Sequence, residues 1–216
     1  MPRKRKQTTR TMKILIDRGH GIPVTGNCSP VFDADMQKHY GMERLYEWKY
    51  CDQVAKELKK RLDDMGYDAI LITPEEYNIG LGERVNRVNR YCAKYGRMNC
   101  VSVCIHLNAA ASTGKWNKAT GFTGWIAKDA STRSKTLASI FADKARELDM
   151  LGNRKSGPTL HENFAMVHHT KCPAILTESA FQDNLEEVQM LLSDEGFDKV
   201  VRLHLESIIA YIDAIK

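Results

Sequence analysis

The sequence predicts one α/β domain built on a mixed, mostly parallel sheet with helices on both faces. Three observations carry that expectation. Apolar runs at Ile14 to Ile16, Cys100 to Ile105 and Ala174 to Leu176 are continuous rather than alternating, as in strands covered on both sides. Segments of helical spacing lie between them, which is the pattern of βαβ units. At 216 residues, with no Pro/Gly/Ser-rich linker and no shift in composition, the chain suits a single well-buried domain.

The chain begins with a basic stretch. Met1 to Thr11 holds five of the 32 Lys and Arg residues and no acid, and we read residues 1–11 as a disordered tail ahead of a domain at 12–216. The tail has the positive start of a secretory signal but no apolar segment or cleavage site, because Asp17 and Arg18 interrupt the apolar run. Its charge suits solvent or an anionic surface. No apolar run approaches the ~20 residues that cross a bilayer. Six cysteines without a CxxC pair fit a reducing compartment, and Cys100 and Cys104 share one strand face as packing groups.

The first strand, around Ile14 to Ile16, ends at Asp17 and turns at Gly19-His20-Gly21. Residues 22–42 show no period and are expected to be a loop. From about Arg44 to Met65, Leu45, Trp48, Val54, Ala55, Leu58 and Leu62 recur at helical spacing, with Gly66 as the stop. A short strand, Ala69 to Thr73, precedes a helix from Leu81 whose face carries Arg84, Arg87 and Asn89 and reads as solvated. The Cys100 to Ile105 strand ends at His106-Leu107-Asn108. A loop with Trp116, an aromatic suited equally to packing and to stacking on a ligand ring, leads to a strand at Gly121 to Ala127. Ser134 to Leu148 is an amphipathic helix. Gly152 to His169 resists assignment; its His161, His168 and His169 suit a surface better than a second metal site. The strand from Ala174 ends in Glu178, and helices at Leu185 to Leu192 and Phe197 to Ile215 close the chain.

Three strands thus release His20, His106 and Glu178 at their carboxyl ends, where open α/β sheets collect ligands. Two imidazoles and a carboxylate suggest zinc, whose catalytic sites take three such ligands and leave a position open.

Asp17 to Gly21, Ser102 to Ala109 and Glu178 to Asn184 resemble, in order and spacing, the three signature motifs of the zinc-dependent N-acetylmuramoyl-L-alanine amidases of the Amidase_3 type. The resemblance runs through residues 12–216 and makes that span a catalytic domain. It implies that the third ligand is a glutamate at a helix start. Glu47 aligns best; Glu43, four residues earlier, is the rival on the same helical face. Metal ligands are then His20, Glu47 and His106. Glu178 is left free as the catalytic acid and base, and Asn108 and Arg84 as substrate contacts. The implied reaction is hydrolysis of the amide joining the lactyl group of N-acetylmuramic acid to L-alanine in peptidoglycan, with Zn2+ as cofactor and no nucleic-acid partner. The sequence sets no oligomeric state. Arg18 stands where the family usually has proline. Without a recognisable signal or wall-binding domain, a phage-type endolysin that reaches the cell wall through another protein's action is favoured over an exported autolysin. A zinc hydrolase of another amide and a noncatalytic wall- or nucleic-acid-binding protein are the alternatives.

Overall fold

The computed structural model describes residues 12–22, 26–112 and 114–216, so the expected disordered tail at 1–11 lies outside the described residues. The strands are β1 (Lys13–Asp17), β2 (Asp68–Leu71), β3 (Cys100–Asn108), β4 (Thr123–Ile126), β5 (Thr159–His161) and β6 (Ala174–Phe181). The helices are α1 (Ala34–Tyr40), α2 (Glu47–Asp64), α3 (Leu81–Tyr95), α4 (Thr132–Glu147), α5 (Ala165–His168), α6 (Leu185–Leu191) and α7 (Asp194–Ala214). The strands form one sheet in the order β2-β1-β3-β6-β4-β5, parallel except where β4 runs against β6. The predicted single α/β layer structure is therefore observed.

Helix α7 packs against both α2 and α4, which lie on one face of the sheet; α3 and α5 pair on the other. That division follows from handedness. The chain leaves β1 for β2 on one side and returns past β1 to β3 on the other, and two right-handed crossovers in opposite directions put α2 and α3 on opposite faces. With both faces covered, Ile14, Leu15, Ile16, Val101, Val103, Cys104 and Ile175 are fully buried, which explains their unbroken apolar runs. Helix α2 buries Tyr50, Cys51, Val54, Ala55, Leu58 and Leu62, a stripe at three- and four-residue spacing.

Two departures from the sequence reading have local causes. Residues 22–42 contain α1, capped by Asp33, whose side chain accepts the Met36 N–H at 2.8 Å, and ended by Gly41 in the left-handed region. None of its residues is buried, so it writes no apolar period. The unassigned stretch before β6 holds β5 and α5, of three and four residues, too short to display a period. His168 and His169 stand at the end of α5 rather than on a strand.

Candidate metal centre

The carboxyl ends of β1 and β3 lie side by side, and the chain departs from them in opposite directions, one toward β2 and the other toward β6. Loops that part in this way leave a crevice at the sheet edge. The turn after β1 presses into it. Gly19 has φ +76°, and a Cβ there would lie 2.8 Å from His106 Cε1 and 2.9 Å from the Ile105 carbonyl oxygen. Only glycine lets the turn come this close. The His20 and His106 rings consequently meet edge to face, 4.9 Å between centroids.

Glu47 opens α2, where the helix dipole favours an acid, and reaches a ring nitrogen of each histidine while only 2% exposed. Its Oε1 lies 2.9 Å from His106 Nδ1 and 3.3 Å from His20 Nε2. The Leu107 N–H donates to the same oxygen at 3.1 Å, and Gln182 Nε2 and Asn27 Nδ2 donate to Oε2 at 3.1 and 3.2 Å. Burial alone would raise the Glu47 pKa; hydrogen bonds and charge from His106 and His20 overcome it and hold the carboxyl well below its ordinary range. One candidate ligand atom from each of His20, Glu47 and His106 lies within 4.8 Å of the others, the one such group of three or more found among the described residues. Two imidazole nitrogens and an ionised oxygen are a donor set that fits zinc and leaves further positions open. Glu43 sits before α2 begins, is exposed, and accepts from Arg44 Nη2 at 2.8 Å, so it does not share a helical face with Glu47.

Glu178 is paired in register with His106 across β3 and β6. Residues so paired in parallel strands point to one face, about 4.8 Å apart. Its Oε2 is buried and has no hydrogen-bond partner among the described residues. Burial, and then the charge of Glu47, push its pKa well above the carboxylate range, with Arg154 pulling the other way. Burial thereby favours the neutral carboxylic acid over the anion.

Arg84, expected on a solvated face and in contact with substrate, is 3% exposed and committed elsewhere. Nη1 donates to Asp17 Oδ1 at 2.7 Å, Nε to the Ile79 carbonyl at 2.7 Å, and Nη2 to the His20 carbonyl at 3.2 Å and Asn78 Oδ1 at 3.1 Å. It braces the turn that carries His20. Arg18 is buried too, with Nε donating to the Thr73 carbonyl at 3.0 Å and Nη2 to that of Glu75, so it ties the same turn to the end of β2. Asn108 Oδ1 accepts the Ala109 N–H at 2.9 Å, and its Nδ2 has no partner among the described residues. Trp116 stacks on Phe32 with rings 12° from parallel, which occupies one face of the indole.

A family model described as N-acetylmuramoyl-L-alanine amidase matches residues 14–210. The chain belongs to that family. Over 195 residues it is 26% identical to the N-acetylmuramoyl-L-alanine amidase CwlM of Bacillus licheniformis, covering 89% of this chain and 66% of that protein. It is 24% identical to the sporulation-specific N-acetylmuramoyl-L-alanine amidase of Bacillus subtilis, covering 89% and 65%. The chain thus spans slightly less than two thirds of these curated relatives. The crystal structure of an N-acetylmuramoyl-L-alanine amidase from Clostridium difficile 630 superposes with a TM-score of 0.76 at 25% identity, covering 95% of this chain and 98% of that one.

The crevice also contains residues to which no role was given from sequence. Gln182 and Asn27 hold Glu47. Asp183 grips the loop beyond β3, accepting from the Ala110 and Ala111 N–H groups and from Asn117 Nδ2 at 2.8 to 3.1 Å. Gln182 and Asp183 lie inside the third motif; Asn27 sits in an aperiodic loop, where only its proximity in sequence to His20 was a signal.

Proposed function

We propose that the protein is a zinc-dependent amidase that cuts peptidoglycan between the lactyl group of N-acetylmuramic acid and L-alanine. The observation that carries this reading is the meeting of His20, Glu47 and His106 on atoms within 4.8 Å, beside the Glu178 carboxyl, whose buried Oε2 is unpaired among the described residues, in a chain of the amidase family. His20, Glu47 and His106 would hold the zinc. When bound, zinc lowers the pKa of coordinated water and polarises a carbonyl.

The remaining steps belong to the chain. Glu178 accepts the proton of the attacking water and returns it to the departing alanine nitrogen, which cannot leave as an anion. Its poor solvation favours the neutral form that makes the second transfer possible. Asn108, at the end of β3, keeps an Nδ2, unpaired among the described residues, that a side-chain rotation would turn toward the substrate. Arg84 and Asp17 keep the His20 turn in place and contact no substrate in this reading. Peptidoglycan is the one macromolecular partner the chemistry calls for.

Purified peptidoglycan is digested with and without a chelator, and the newly exposed amine is identified. A new amino-terminal L-alanine, abolished by chelator and restored by Zn2+, is expected. New reducing sugar ends without that amine would refute the reading. Glu178→Ala should retain zinc and lose about 10²–10⁴-fold in turnover; full turnover would remove Glu178 from the mechanism.

A further inference from the structure

We propose that Asn27 is a fourth, exchangeable ligand of the metal centre, which turns its carboxamide to place Oδ1 on the ion. The inference rests on reading His20, Glu47 and His106 as a metal-binding triad. Asn27 lies between β1 and α2, and its backbone is fastened there. Its carbonyl accepts the Glu47 N–H at 3.1 Å, Cys28 bridges to Tyr46, and the Ser29 N–H donates to the Leu45 carbonyl at 2.9 Å. The side chain is carried to the ligand atoms themselves. Nδ2 is 2.9 Å from His20 Nε2 and 3.2 Å from Glu47 Oε2.

One amide nitrogen therefore lies within hydrogen-bond distance of two of the three candidate ligands, donating to Glu47 Oε2 and, in the tautomer that leaves His20 Nε2 unprotonated, to that nitrogen as well. A donor in that position stands in for positive charge and competes with a cation for the same electron pairs. Beside a bound cation the N–H dipole is repelled and the carbonyl dipole attracted. The exchange needs only rotation about Cβ–Cγ, a broad and roughly two-fold torsion in asparagine, because Oδ1 and Nδ2 occupy equivalent ends of the amide. A neutral amide oxygen binds zinc more weakly than imidazole or carboxylate, which suits a ligand that must give way to water or to a substrate carbonyl. Gln182 makes the same bond to Glu47 Oε2 but none to a histidine, so it is a positioning residue and not a second ligand.

The test measures zinc affinity by competition with a chromophoric chelator, together with the visible spectrum of the Co2+-loaded protein, whose band intensity falls as coordination number rises. Asn27→Ala should weaken zinc binding by about tenfold or more and alter the Co2+ band. Asn27→Asp, which keeps the shape and adds charge, should bind zinc more tightly than Asn27→Ala and restore the wild-type band. Unchanged affinity and spectrum in Asn27→Ala would overturn the proposal. So would weaker binding with an unchanged spectrum, which identifies a hydrogen-bonding role only. Full zinc affinity in both His20→Ala and Glu47→Ala would instead sink the triad, so the two failures are distinct. Melting curves of the metal-depleted variants establish that each is folded.

Discussion

At the scale of single residues, the centre depends on groups that hold Glu47 as much as on Glu47 itself. Replacing Gln182 by leucine removes a donor to Oε2 while filling a site that is 3% exposed. We expect zinc affinity to fall about 10–100-fold with the fold intact, measured by chelator competition. A second residue acts through protonation. His204 is fully buried behind β6, its Nδ1–H donating to the Val200 carbonyl at 2.8 Å and its Nε2 lying 2.8 Å from Thr177 Oγ1. Burial pushes its pKa down from 6.5 to about 4, against the hydrogen bond to Val200. The unfolded chain thus binds a proton there at a higher pH than the folded one. Stability present above pH 6.5 is lost as the pH falls toward 4, by about 3 kcal/mol over that window. Urea midpoints at pH 7 and pH 5 should differ more for the wild type than for His204→Leu; equal differences would exclude His204 as the cause. Sequence made His20, His106 and Glu178 candidates because each closes an apolar run, and Glu47 a candidate through the family resemblance. It said nothing of Asn27 or Gln182, whose amides matter only through distances that spacing does not encode.

Elements position these residues by register and by buried polar contacts. Pairing of His106 with Glu178 is a property of β3 and β6; sequence anticipated that both residues end apolar runs at one site, but not that their strands are neighbours in register. The contact between α3 and the β1 turn was hidden. Arg84 sits on a helix rich in arginine and asparagine, and nothing in that composition separates the 3% exposed Arg84 from Arg90, whose side chain is 64% exposed. What separates them is Asp17, 67 residues earlier. Breaking a buried ion pair from one side leaves the other charge stranded, so Arg84→Met should cost about 3–5 kcal/mol in a urea titration. Asp17→Asn combined with Arg84→Met should recover part of it. If the single and double variants lose the same stability, the pair is not what anchors the turn.

The whole molecule joins the centre to the stability of the sheet. His20, Glu47 and His106 are brought together from β1, α2 and β3, so an ion held by all three favours the folded chain over the unfolded one. At a zinc concentration 100 times the dissociation constant the gain is about 2.7 kcal/mol, seen as a higher melting temperature that chelator reverses. An unchanged melting temperature would argue against binding by the triad. The α/β class was legible because both faces of the sheet are covered; the antiparallel course of β4 was not, since a four-residue strand reads alike in either direction.

That reversed strand has a practical consequence. Because β4 runs against β6, the chain after it emerges beside the start of β6, at the edge away from Glu178. Ala174, at the start of β6, and Glu178 are four residues apart, which sets that separation at about 13 Å. Lys128 and Asp129, both exposed, follow β4 there. An extra module spliced between them would ride on the back of the domain, leaving the crevice with Glu178 and the proposed metal ligands open to a polymeric substrate of any length.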